Sequence, residues 1–166
     1  MGIDGGNQPR QVAASATRFY AGEPVNNIGT FTAGAISVHT IVQLADAKPR
    51  VATDNFQGIA ATDAPVNSSG TVVASAWSTP VYVTVPIPYI TRIRARAKTT
   101  TGLVDTNANL LAILLNAVDF DLTSSTFTID ATAASNASGL QLVNGNIIKG
   151  TVDVVVEARA MRNAIS

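Results

Sequence analysis

Residues 118–130 read VDFDLTSSTFTID, and this stretch decides the fold class. Apolar and polar side chains alternate on both sides of its central Thr-Ser-Ser segment. A period of two is typical of a half-buried β-strand, because successive side chains of a strand point to opposite faces. A short polar segment between two such runs predicts a hairpin. We therefore expect Phe120 and Leu122 to pair with Phe127 and Ile129.

The same kind of pattern recurs on both sides of this hairpin. Alternating or short apolar runs return every 8 to 15 residues or so, as expected for a β-sandwich or barrel. They lie at 36–44, 56–61, 71–76, 81–85, 89–98, 140–143 and 152–158. In the first run Ile36, Val38 and Val42 share one face, and Asn144-Gly145 predicts a second hairpin turn.

One helix is predicted, roughly over residues 107–116. Asp105 or Thr106 precedes it and can cap its first free amides. Its apolar stripe consists of Leu110, Leu111, Ile113, Leu114 and Leu115. The sequence thus predicts a mostly β fold, a two-lobed β-sandwich or barrel with one short helix around residues 107–116.

Three segments are expected along the chain. Residues 1–17 are rich in Gly, Gln and Asn and have no apolar period, so they predict an N-terminal arm. Residues 18–85 predict a first β lobe, and residues 86–166 a second, barrel-like lobe that carries the helix. We expect the arm to order by adding a strand to an exposed sheet edge of a partner, with a flexible terminus that has no role as the alternative. No solenoid-like repeat is visible in the sequence.

The charge content is low and balanced. Eleven basic residues offset eleven acidic ones among 166, and only 13% of the residues are charged, about half of the usual share. Residues 64–91 contain no charged side chain. Since the net charge is zero, no long-range field favours nucleic acid or an anionic membrane, and self-association is favoured instead. No apolar run approaches the ~20 residues of a spanning helix, and the first residues do not resemble a signal peptide.

Little in the sequence points to catalysis. The chain has no cysteine, so disulfides, Cys-ligated zinc and a thiol nucleophile are excluded. A Ser-His-Asp triad would need His39, the single histidine, and no G-x-S-x-G motif is present. Asp119 and Asp121 share one strand face, which we expect to be a solvent face opposite Arg94 and Arg96 rather than a metal or glycosidase site. We expect no enzyme activity, no metal and no cofactor.

A row of arginines is the sharpest polar feature. Arg92, Arg94 and Arg96 fall on one face of a predicted strand, spaced ~7 Å apart. We expect either a solvated face paired with nearby acids, such as Asp153, Glu157 or Asp121, or a contact with a protein partner. Zero net charge without interleaved aromatic residues disfavours direct nucleic-acid binding. The candidate partner contacts are Arg10, Arg18, Arg92, Arg94 and Arg96.

Three aromatic residues are candidates for a subunit interface. Trp77, Tyr82 and Tyr89 lie in the uncharged segment, and interface cores lose charge and gain aromatic residues. We expect a homotrimer, with a dimer as the alternative. A carbohydrate-binding module that uses Trp77 and Tyr82 is a second possibility for the same residues.

Two stretches resemble the decoration, or cement, proteins of tailed-bacteriophage heads. PRVATDNFQGIAA at 49–61, followed by GTVV at 70–73, resembles their first lobe. IRARAK at 93–98, the helix at 105–115 and the hairpin at 118–130 resemble the second, barrel-like lobe. The resemblance covers roughly residues 20–160 and implies a structural virion protein without catalytic residues.

The same resemblance implies a place and a partner. Such a protein is assembled in the host cytoplasm, binds the outer capsid surface and bridges neighbouring major capsid proteins. A tail or fibre-base component is the alternative within the same class.

Overall fold

The computed structural model describes residues 6–12, 17–28, 40–44, 56–74, 80–123, 126–132 and 139–161. Within these residues the fold is mostly β, with ten strands and one α-helix, which confirms the predicted fold class. The chain forms two compact units, whose strands lie on either side of a boundary between Pro86 and Ile87. The sequence predicted this boundary one residue earlier, between residues 85 and 86.

Unit 1 is a closed five-stranded barrel. Its strands are β1 (Asn7–Val12), β2 (Pro24–Asn27), β3 (Thr40–Gln43), β4 (Phe56–Ala60) and β5 (Val81–Thr84). They follow the order β1-β3-β2-β4-β5, with β1 parallel to β3 and antiparallel to β5. All other pairs are antiparallel. The barrel core consists of Val12, Phe19, Val25, Ile41, Ala60, Ala64, Val72, Val81 and Val83.

Strand β1 lies within the segment that the sequence assigned to an N-terminal arm. Asn7 pairs with Thr84, and Val12 pairs with Ile41, so both edges of β1 are used inside its own barrel. The arm prediction is therefore wrong for residues 7–12. The sequence missed this strand because a single buried valine and a buried arginine give no apolar alternation.

Strand β3 turns a different face inward from the one its sequence indicated. Ile41 is fully buried, whereas Val42 is half-buried. Ile41 lies opposite Val12 and Asn27, which are also buried. Neighbouring strands share their inward face at paired positions, so the pairing decides the face. Ile36 and Val38 lie outside the described residues.

Unit 2 is a curled five-stranded antiparallel sheet with one helix. Its elements are β6 (Arg92–Arg96), α1 (Asn107–Ile113), β7 (Ala117–Thr123), β8 (Thr126–Asp130), β9 (Leu140–Asn146), β10 (Thr151–Val156) and a 3-10 helix (Ala158–Met161). The strand order is β6-β10-β9-β7-β8. Phe120 pairs with Ile129 and Leu122 with Phe127, which confirms the predicted hairpin. A parallel bridge between Ala97 and Ile129 joins the two edges of the sheet.

Helix α1 begins after Thr106, whose hydroxyl accepts a hydrogen bond from the Asn109 amide at 3.2 Å. The predicted helix and one of its two candidate caps are thus confirmed. Ile113 is buried, but Leu111 and Leu115 are exposed, so the apolar stripe is narrower than predicted.

The turn between β9 and β10 lies beyond the predicted one. Asn144 and Gly145 are inside β9, and the chain turns at residues 147–150. A Cβ at position 145 would lie 2.7 Å from Leu110 Cδ1, so this glycine lets the helix pack closely on the strand. Gly150, with a φ of +61°, supplies the left-handed conformation that the turn needs.

Candidate interaction surfaces

The arginine row lies on strand β6, where all three side chains are exposed and alternate with half-buried residues. Arg94 is held by Asp153 on the neighbouring strand, with Nε–Oδ1 and Nη2–Oδ2 distances of 2.6 and 2.9 Å. Asn144 donates a further hydrogen bond to the same carboxylate. Asp153 is only 3% exposed, and the hydrogen bonds from Arg94 lower the pKa of its carboxyl group. Arg94 is thus committed to a bidentate pair within the sheet.

Arg92 and Arg96 lie on either side of Arg94 along β6 and, within the described part of the chain, are not paired as Arg94 is. Both side chains are exposed, and neither forms an ion pair with any residue that the structure describes. Their guanidinium groups are therefore available to an acidic group of a partner.

A second ion-pair cluster lies on the same face of the sheet. Lys98 Nζ is 2.6 Å from Asp121 Oδ1 and 3.2 Å from Asp130 Oδ2. The hydrogen bond to Asp121 is the main cause that raises the pKa of the Lys98 ammonium. Asp119 and Asp121 are both buried, so the prediction that they form a solvent face is wrong. The sequence missed this cluster because Lys98 lies beyond the end of β6 and reaches a strand far along the chain.

Arg10 does not lie on the surface. It pairs with Val81, is buried, and donates a hydrogen bond from Nη1 to the Pro9 carbonyl oxygen at 2.8 Å. Burial lowers the pKa of its guanidinium group. The prediction that Arg10 contacts a partner is therefore wrong, because Arg10 lies on the inward face of β1.

Arg18 and Tyr20 form an exposed pair in unit 1. The Arg18 Cζ atom lies 4.6 Å from the centre of the Tyr20 ring, within the range of a cation–π contact. Arg18 is exposed, so it remains a candidate contact for a partner.

The candidate aromatic residues are exposed where the structure describes them. Tyr82 projects from β5 of unit 1 and is 42% exposed. Tyr89 lies in the turn before β6 of unit 2, with a φ of +60°, and its neighbour Ile90 is also exposed. A tyrosine in this conformation is unusual and is held by the hydrogen bond from its amide to the Val156 carbonyl oxygen. Trp77 lies outside the described residues.

Groups that could hold a metal ion were sought among the described residues, and no cluster of three His, Cys, Asp or Glu occurs there. His39 lies outside them. No helix within the described ranges is both long and apolar enough to cross a membrane.

Comparison with family models, with curated proteins and with solved structures finds no match to this chain.

Proposed function

We propose that this protein decorates the outer surface of a tailed-phage head and stabilises it by bridging neighbouring copies of the major capsid protein. Its site of action would be the virion, after assembly in the host cytoplasm. The role is structural rather than catalytic. Many modest contacts, repeated over a capsid lattice, would supply the affinity through avidity.

One observation carries this proposal: a chain with no net charge exposes large apolar side chains on both of its units. Examples are Ile28 and Tyr82 in unit 1 and Ile90 and Ile148 in unit 2. Apolar residues that are accessible on a weakly charged surface are typical of protein–protein contacts. The motifs that resemble decoration proteins include strand β4 of unit 1 and strand β6 and the β7–β8 hairpin of unit 2. Both units therefore contain such a motif.

Within this proposal, Arg18, Arg92 and Arg96 are the capsid contacts, because their charged groups are exposed. Residues 7–12 are excluded from that role since they form β1 of the barrel. We also propose a homotrimer, with a dimer as the alternative, because local three-fold positions on an icosahedral shell are natural docking points.

Co-sedimentation with expanded phage heads that lack the protein tests this function. The heads would be assembled from the major capsid protein of the same genome. We expect saturable binding at micromolar concentration and greater resistance of the heads to heating. Failure to co-sediment at that concentration would contradict the proposal.

A pair of variants locates the contact. Arg92→Ala combined with Arg96→Ala should weaken binding to heads, because two unpaired cations are removed. Lys149→Ala is the control, since Lys149 is an exposed cation of the same unit at the β9–β10 turn. Equal binding by both proteins would move the capsid contact away from β6.

Carbohydrate binding is a second candidate function, favoured by the exposure of Tyr82 on the outer face of the barrel. A glycan array would test it. Binding that is lost in Tyr82→Ala would favour this function over capsid decoration.

A further inference from the structure

The two units have the same strand topology. Numbered within each unit, the strands of unit 1 follow the order first, third, second, fourth, fifth, and those of unit 2 follow the order first, fifth, fourth, second, third. These are the same ring read in opposite directions, because the bridge between Ala97 and Ile129 joins the edge strands of unit 2. In both, the first strand is parallel to the third: Val12 lies opposite Ile41 in unit 1, and Ala97 lies opposite Ile129 in unit 2. All remaining neighbours are antiparallel in both units.

The strand registers match as well. If Val12 is equated with Ala97 and Ile41 with Ile129, at least one pairing between every two neighbouring strands of unit 1 has a counterpart in unit 2, all the way round the sheet. The equivalent pairings are Ile41–Asn27 and Ile129–Phe120, Val25–Gly58 and Val118–Leu140, Ala60–Val83 and Leu142–Val154, Val83–Gln8 and Val154–Ile93, and Val81–Arg10 and Val152–Ala95. The two units therefore repeat one strand arrangement, which is closed in unit 1 by the pairing of β1 with β3 and in unit 2 by the single bridge between Ala97 and Ile129.

This equivalence allows the outer faces of the two units to be compared position by position. The outer face of unit 1 includes Pro9 and Gln11 of β1, Thr40 of β3, Tyr82 of β5 and Ile28, which directly follows β2. The equivalent residues of unit 2 are Arg94, Arg96, Asp121, Thr128 and Asp153. Four of these five positions are charged in unit 2, and none is charged in unit 1.

Three of the four charged residues on this face of unit 2 are held in its own ion pairs, and Arg96 is the exception among the described residues. Arg94 binds Asp153, and Asp121 binds Lys98. The uncharged face makes no such pairs, and it leaves Ile28 and Tyr82 exposed by 52% and 42%. Unit 2 thus pairs most of the charges on this face within itself, while unit 1 has an uncharged face with two exposed apolar side chains.

We propose that the outer face of unit 1 is the surface through which copies of this chain associate. A charged partner would lose hydration against a face that offers no opposite charge. An uncharged surface of a second copy brings no unpaired charge to this face, and Tyr and Ile supply the apolar contact area that interface cores use. A second copy of the chain is therefore the occupant that this face fits best.

This inference deepens the self-association part of the proposed function and rests on it, and it can be tested apart from capsid binding. Ile28→Asp gives unit 1 an aspartate at the position that is equivalent to Asp121 of unit 2. Ile148→Asp is the matched control, because Ile148 is 93% exposed at the β9–β10 turn of unit 2. Sedimentation equilibrium over micromolar concentrations would give the mass of each protein, with far-UV circular dichroism to check folding.

We expect wild type and Ile148→Asp to associate equally, and Ile28→Asp to raise the dissociation constant by at least about tenfold. Tyr82→Ser, which adds no charge, should weaken association in the same direction and serves if the aspartate variant does not fold. A monomeric wild type, or unchanged association in folded variants at both positions, would overturn the inference. If those variants associate normally but lose binding to heads, the face contacts the capsid instead and the inference is also wrong.

Discussion

Replacing Gly58 by alanine should weaken the closure of the unit 1 barrel. Gly58 lies in β4 with a φ of +144°, a conformation that residues with a Cβ rarely adopt. A Cβ there would collide with the carbonyl oxygen of Thr84 and lie 2.9 Å from Val83 Cγ1. Both neighbours belong to β5, and the first is backbone that cannot rotate away. The substitution therefore forces β4 and β5 apart.

Two costs add up at this position. The backbone conformation costs roughly 1–3 kcal/mol for a residue with a Cβ. The steric overlap costs about 1–3 kcal/mol, as for other overpacked interiors. We expect Gly58→Ala to lower the free energy of unfolding of unit 1 by about 2–6 kcal/mol, a large part of the 5–15 kcal/mol typical of a whole protein.

Gly22→Ala separates the two costs. Gly22 also has a positive φ, +92°, but a Cβ there would meet nothing within 4 Å. It should therefore lose only the backbone part, roughly 1–2 kcal/mol. Denaturant unfolding followed by circular dichroism measures the loss, and hydrogen exchange of peptides from β4 and β5 locates it. If Gly58→Ala is no more destabilising than Gly22→Ala, the close approach of β4 and β5 is refuted.

Three further changes test other parts of the fold. Deleting residues 2–12 should unfold the unit 1 barrel, because it removes β1 and unpairs both neighbouring strands; retained β signal and protease resistance in unit 1 would contradict this. Hydrogen bonds from Arg94 lower the pKa of Asp153. The stability that this carboxylate contributes is therefore present above its unfolded pKa and is lost as the pH falls below about 5. Asp153→Asn should flatten that part of the curve of stability against pH, and an unchanged slope would contradict this prediction. Thr106→Ala should cost about 1 kcal/mol through loss of the hydrogen bond from the Asn109 amide, measured by denaturant unfolding. Thr101→Ala is the control, because Thr101 is exposed in a turn and its side chain makes no hydrogen bond to the described residues.

Local sequence patterns predicted the features that depend on neighbours in the chain. The β7–β8 hairpin was predictable because Phe120 and Ile129 are separated by a short turn and both strands alternate. The helix was predictable because its cap and its apolar residues lie within one short segment. The fold class followed from these elements together.

Features that depend on distant strands were not predictable. Arg10 is buried because β1 pairs with β5, whose residues lie more than seventy positions further on. Lys98 reaches Asp121 for the same kind of reason. The repeat was also hidden, because equivalent positions hold unrelated residues, such as Arg10 and Ala95, and only the registers match.

The pairing of β1 with β5 also sets an order for folding on the ribosome. Asn7 is made early, yet its partner Thr84 must emerge before the first barrel can close. At about 5–20 residues per second, the chain between Thr84 and Val156 then takes roughly 4 to 14 s to be made. The first barrel therefore has seconds in which to close before the last strand of the second exists. Ribosomes stalled once residue 84 has emerged should accordingly carry a protease-resistant unit 1, and the released chain should carry two protease-resistant units.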